Sequence, residues 1–221
     1  MTFSILARDP ETGAFGGAAA TGSLCVGGWV LRGDARVGLS ASQGAAPSTL
    51  WGEDVLVLMR AGVDAATAVA RVTQADAGRD WRQLAALGAA GQGAAFTGRS
   101  NTPEMGSRCF DGSVVSGNML TGETVLDAMQ AAIQPGPDPF AKRLLGALRA
   151  AERAGGDSRG LLSAALLVLH PTRAPLTLRI DHHRGDPIGA LEELHGLATS
   201  GDYADWTAQV PTLAAPERFL D

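Results

Sequence analysis

Thr2 to Arg8 is a short β-prone run of mixed polar and apolar positions, and Ala14 to Thr21 is a second run of small and apolar residues. The turn-forming cluster Asp9-Pro10-Glu11-Thr12-Gly13 lies between them, which predicts a hairpin. The Gly-rich stretch 22–28 leads to Trp29-Val30-Leu31, with a turn expected at Arg32-Gly33-Asp34 and a strand from Arg36 to about Ser42. The apolar period then changes to a helical one. Helices are predicted over Thr49 to Arg60 and over Asp64 to Thr73, separated by Gly62, with Asp64 as the N-cap of the second.

A second β-rich block follows, with Leu84 to Ala90 and Ala94 to Thr97 flanking Gly91-Gln92-Gly93, and Ser113 to Leu120 closing it. The interval from Thr97 to Gly112 reads as a long loop. Further helices are expected over Glu123 to Ile133, behind a Thr121 cap, and over Phe140 to Ala154, between the Pro135 to Pro139 breaker cluster and Gly155-Gly156. Ser163 to His170 and Leu176 to Asp181 form a strand pair, and Pro187 to about Thr199 a last helix with Pro in its first turn. Residues 201–221 contain Tyr203, Trp206 and Phe219. They read as a C-terminal arm packed on the body or on a partner subunit, outside a single domain of residues 1–200.

Blocks of hairpin-linked strands alternating with blocks of helices imply an α+β fold with antiparallel sheets rather than βαβ units. The chain has 221 residues, of which 45% are hydrophobic and 19% charged, a globular composition. No apolar run approaches the roughly 20 residues of a membrane span. A net charge of −5 argues against a nucleic-acid partner. Lys142 is the only lysine and falls on the outside of a predicted helix, so a Schiff-base or phosphate-loop enzyme is not expected. Cys25 and Cys109 are far apart, and the N-terminal residues lack a secretory pattern; both suit a cytoplasmic protein.

Gly88 to Gly93 sits between strands and Gly155 to Gly160 runs from helix to strand, so neither Gly-rich stretch opens a helix as a phosphate cradle must. No G-x-S-x-G elbow is present. In Asp181-His182-His183 with Asp186, adjacent histidines at a strand end point to opposite faces, so no metal site is expected.

Asp157 and Arg159, two apart in a tight loop, read either as a carboxylate clamp with Arg159 as the fork or as a loop-stabilising ion pair. Asn118, at the end of an apolar strand, either presents its amide to a substrate oxygen or satisfies local backbone. Thr2 starts the first strand. Once the initiator methionine is removed it also carries a free α-amine beside its hydroxyl, a nucleophile and a general base in one residue. Where Met1 is retained, that nitrogen is a peptide nitrogen and cannot act as a base.

Taken together, Thr2 to Asp9, Gly38 to Gln43, Gly117-Asn118-Met119-Leu120, Gly155 to Gly160 running on to Ser163-Ala164-Ala165, and Leu178 to Asp181 with His183 resemble the domain-of-unknown-function family numbered 1028. The resemblance extends to about Leu194. It implies an N-terminal-nucleophile-hydrolase-like fold, a four-layer α/β/β/α sandwich of two antiparallel sheets between helical layers. Gly22 stands where relatives often carry lysine.

The function expected on this basis is an amide hydrolase acting on a small amide or peptide-like substrate. Thr2 and Asn118 would be its catalytic residues, and Asp157, Arg159 and Gln43 its substrate-binding residues, with no cofactor and no metal. The alternative is a non-catalytic small-molecule-binding or assembly protein on the same fold. The aromatic arm and the many small residues lead to the expectation of a homodimer.

Overall fold

The initial hairpin forms as expected: β1 (Thr2–Arg8) pairs antiparallel with β2 (Phe15–Thr21). Asp9 ties its turn, since one carboxylate oxygen accepts the Thr12 hydroxyl at 2.6 Å and the other accepts Arg143 Nη2 at 2.6 Å. The computed structural model describes residues 2–157 and 159–220. After β2 come α1 (Val26–Trp29), β3 (Leu31–Asp34), β4 (Gly38–Gly44), α2 (Thr49–Arg60) and α3 (Ala65–Gln74). The second β-rich block is β5 (Arg82–Gly88), β6 (Gly93–Thr97), β7 (Glu104–Phe110) and β8 (Ser113–Leu120). The chain continues through α4 (Thr124–Ala132), α5 (Phe140–Arg153), β9 (Ser163–His170), β10 (Arg173–Ile180), α6 (Pro187–Ala198) and α7 (Gly201–Thr207).

The strands make two antiparallel sheets, one of six in the order β10-β9-β2-β1-β8-β7 and one of four in the order β3-β4-β5-β6. Strand alternation divides the side chains among three apolar clusters of described residues. Phe3, Ile5 and Ala7 of β1 join Met129 of α4, Leu144 and Leu148 of α5 and Leu191 of α6. Leu6, on the opposite face of β1, packs with Ala19 and Val114 of its own sheet and with Leu39, Ala41, Ala85 and Leu87 of the four-stranded sheet. Leu84 and Ala86 turn the other way, onto Trp51 and Val55 of α2 and Ala68 and Val69 of α3. Thr2 and Ser4 share the parity of Leu6, so they belong to the face that meets the second sheet.

Three helix starts carry side-chain caps: Ser48 accepts from Trp51 N at 3.4 Å, Asp64, as expected, accepts from Thr67 N at 2.9 Å, and Asp186 accepts from Gly189 N at 2.7 Å before Pro187. Gly38 needs to be glycine. Its φ is +126°, and a Cβ there would sit 1.9 Å from the Leu87 carbonyl oxygen.

Several expectations are corrected. The interval 97–112 is not a loop throughout but holds β7, an edge strand whose mostly half-buried residues include Gly106, Ser107 and Arg108 and so give no apolar alternation. Arg32-Gly33-Asp34 lies within β3, and the turn falls at residues 35–37 because Asp34 accepts Arg36 N at 2.9 Å. The residues preceding β3 are helical in α1, entered through Cys25 at φ 60°. No side chain caps α4, whose N-cap is Glu123 rather than Thr121. β10 begins at Arg173, earlier than expected, and its register breaks between Arg173 and Leu176 around Pro175, which an edge strand tolerates. Beyond α7 the chain touches the body where Thr212 is buried and Ala214 N donates to Pro171 O at 2.8 Å. Tyr203, Trp206 and Phe219 stay exposed.

Candidate functional site

Antiparallel register sets Thr2 between Thr21 of β2 and Asn118 of β8. Cross-strand partners share a face, so the three side chains lie together at one end of the six-stranded sheet, toward the four-stranded sheet. Thr2 is half-buried, and its hydroxyl donates to Thr21 Oγ1 at 3.1 Å. From the other sheet, Gln43 Nε2 donates to the Thr2 carbonyl oxygen at 3.3 Å and to Gln83 Oε1 at 2.7 Å. Gln83 Nε2 in turn donates to Thr97 Oγ1 at 2.8 Å and to the Gly106 and Gly117 carbonyls at 3.0 Å each.

Against this well-bonded frame, three side chains stand out. Asn118 is 0% exposed, yet among the described residues neither its Nδ2 nor its Oδ1 has a hydrogen-bond partner. Gln43 Oε1 and Ser4 Oγ are likewise buried and unpartnered. Leaving a buried polar group unsatisfied costs about 1–3 kcal/mol, so such groups persist where a ligand, a water or a reaction engages them.

The Gly-rich loop lies at the same end of the sheet. Asp157 bridges to Leu120, two residues past Asn118, and its Oδ2 accepts Gly22 N at 2.6 Å, next to the Thr21 that pairs with Thr2. Its Oδ1 accepts Arg159 N at 2.8 Å and Nε at 3.1 Å, while Oδ2 takes Arg159 Nη2 at 3.0 Å. Burial pushes the Asp157 carboxyl up, but the Arg159 guanidinium and the two backbone N–H groups outweigh it and hold the pKa below its ordinary 3.8. The same pairing raises Arg159, half of whose side chain is exposed. Gly22 follows from this arrangement: a Cβ there would lie 2.5 Å from both Asp157 Oδ2 and the Gly160 carbonyl, so a lysine at 22 demands a different place for Asp157.

Thr2, Asn118, Gln43 and Asp157 are thus brought to one region, with Arg159 at its exposed margin. Met1 and Ser158 lie outside the described residues. Two residues escaped the sequence reading. Gln83 orients Gln43. Asn101, 0% exposed, donates from its side-chain amide to the Asp80, Arg82 and Gly98 carbonyls, and its backbone carbonyl accepts Met119 N at 3.1 Å, fixing the chain just after Asn118. A polar Gln beside the apolar run Leu84 to Leu87 was the available signal for Gln83; nothing in the sequence marked Asn101.

His182 and His183 are exposed in the segment after β10. Among the described residues no three His, Cys, Asp or Glu side chains gather as a metal site, and no helix is long and apolar enough to cross a membrane. Two surface cavities, of about 650 and 490 Å³, are lined by residues 74–80 with Arg99 and by the Met59–Ala66 region with Gly88 to Gly93; neither includes Thr2.

The acid limb of stability follows from the carboxylates. Asp9, pushed up by burial but pulled down further by Thr12 and Arg143, and Asp34, pulled well down mainly by Arg36, join Asp157 below the ordinary 3.8. A depressed folded pKa gives stability that is whole above the unfolded value and is lost as pH falls through the folded one. His195 adds an earlier step. Burial, then the charge of Lys142, pushes its imidazole below 6.5, so the unfolded chain takes up the proton first and stability declines as pH falls below 6.5. The urea midpoint should therefore drop between pH 7 and pH 5, a drop that His195→Gln removes, and should drop again below about pH 4.

The family model for the "Family of unknown function (DUF1028)" matches residues 2–191. The chain belongs to this family. A DUF1028 structure, the crystal structure of protein SPO2555 from Silicibacter pomeroyi, is 60% identical to it and superposes with a TM-score of 0.95, covering 100% of this chain and 99% of that one. The DUF1028 chain also aligns with Anbu, the ancestral β-subunit from Yersinia bercovieri, at 12% identity and a TM-score of 0.39 over 96% of this chain and 99% of that one, a likeness too slight to bear on the fold. No curated protein matches it.

Proposed function

We propose that this protein is an amide hydrolase of the N-terminal-nucleophile type, on a four-layer α/β/β/α sandwich, acting on a small amide or peptide-like substrate. The observation that carries the reading is the fully buried, unpartnered Asn118 amide directly across the strand pair from Thr2. In a chain that begins at Thr2, the free amine takes the hydroxyl proton as Oγ1 attacks the carbonyl carbon. Asn118 Nδ2 donates to the oxyanion of the tetrahedral intermediate. Collapse breaks the C–N bond, the Thr2 ammonium protonates the leaving amine, and the acyl ester on Oγ1 is hydrolysed by water, regenerating Thr2. Arg159, braced by Asp157, is the fork for a carboxylate on the substrate.

Asn118→Ala should lower kcat about 10²- to 10³-fold, the loss expected on removing one oxyanion donor. An equal loss from Ala substitution at an outward-facing strand residue would count against the role.

A non-catalytic binding or assembly protein is the second reading. It is favoured by the exposed Tyr203–Trp206 pair, whose rings are 5.5 Å apart. We further propose that α7 joins two copies of the chain. Light scattering at micromolar concentration should give a dimer mass that Trp206→Ser shifts toward the monomer; a wild-type monomer would rule the contact out.

A further inference from the structure

The orientation of the Gln43 amide is fixed by the residues behind it. Gly106 and Gly117 carbonyls can only accept, so Gln83 must turn Nε2 toward them and Oε1 toward Gln43. Gln43 must then present Nε2 to Gln83 Oε1, and it does the same for the Thr2 carbonyl; flipping it would set its oxygen against two others. Its Oε1 is therefore a committed acceptor, buried and without a partner, on the side chain that rests on Thr2. Asn118, across the strand pair from Thr2, supplies an unused donor.

We propose that Gln43 Oε1 and Asn118 Nδ2 are the two halves of a clamp for a secondary carboxamide. Asn118 Nδ2 donates to the substrate carbonyl, and Gln43 Oε1 accepts the substrate N–H. The clamp rests on the hydrolase reading for its place at Thr2 and adds a selection: amides bind and esters do not. An ester offers the carbonyl but no N–H, and leaves Gln43 Oε1 buried and unmet. Sites built around such a hydrogen bond reject the analogue that lacks it far more strongly than apolar pockets reject a missing methylene. Gln83 is the positioning residue.

The test uses the full chain beginning with Thr2→Ala, which keeps the residue-2 carbonyl but cannot turn over, titrated with N-methylacetamide and with its isostere methyl acetate. The Asn118 side-chain NH₂ resonances should shift saturably with the amide, at least about tenfold more tightly than with the ester. In Gln43→Met, with the backbone amide spectrum confirming the fold, the two ligands should become equivalent. Equal binding of amide and ester by the parent chain, or no saturable shift with either, overturns the clamp. The outcome is separable from the hydrolase reading: selective binding with no turnover by the Thr2 chain sinks catalysis and leaves the clamp, whereas turnover of esters as readily as amides sinks the clamp and leaves the nucleophile.

Discussion

Thr2→Ala should reduce turnover of any amide the wild-type chain cleaves by about 10⁴-fold or more, while the protein still folds. The substitution removes the attacking oxygen and leaves the amine, the β1 backbone and the Gln43 contact to the residue-2 carbonyl in place. Its structural cost is confined to one hydroxyl pair, Thr2 with Thr21, at the half-buried start of a strand, about 0.5–1.5 kcal/mol. Thr2→Ser keeps both the nucleophile and its amine and should retain measurable activity. A Thr2→Ala chain as active as wild type in amine release would remove Thr2 from the chemistry; a Thr2→Ser chain as inactive as Thr2→Ala would show that a hydroxyl there is not enough.

Asp9→Ala should destabilise the fold by about 3–5 kcal/mol, the range for stripping one partner from a buried ion pair. Arg143 Nη2 meets Asp9 Oδ1 at 2.6 Å with side-chain exposures of only 10% and 4%, so the arginine left behind stays charged and largely out of water. The loss also takes away the acceptor of the Thr12 hydroxyl in the turn between β1 and β2 and unties that turn from α5, where Arg143 lies 5.4 Å over the Phe140 ring. Removing both charges is a smaller injury. Asp9→Ala with Arg143→Met should recover most of the lost stability, because no uncompensated charge remains buried. Urea unfolding of the two variants decides the matter: a single substitution costing less than about 1 kcal/mol, or a double no better than the single, would mean that the pair is solvated in solution.

The strands that carry the site were legible because each has a strong local pattern. Thr2 to Arg8 is a β-prone run ahead of a turn of Asp, Pro and Gly, and Ser113 to Leu120 is apolar enough to be a central strand. Helix α3 announced itself through Asp64. What could not be read was whatever depends on pairing at a distance. β7 becomes a strand because β8 offers it an edge, not because Gly106, Ser107 and Arg108 prefer extension. Arg32-Gly33-Asp34 reads locally as a turn, with Gly33 at its centre, and is part of a strand because β4 binds it.

The site shows the same division. Thr2, Asn118 and the Asp157–Arg159 loop drew attention as residue types with chemical capacity. That Thr2 and Asn118 are register partners 116 positions apart is a property of the sheet. Gln83 and Asn101 act by orienting others, their side-chain amides bonding to backbone groups and side chains that only the fold brings near, so their roles exist only in three dimensions.

All of the proposed chemistry depends on one free amine. The most direct test is therefore the intact mass of the protein expressed in its native host, with sequencing of the first residues. The hydrolase account predicts a chain lacking the initiator methionine and starting at Thr2. A chain that keeps Met1 would contradict it, because the Thr2 nitrogen would be a peptide nitrogen with no base to offer.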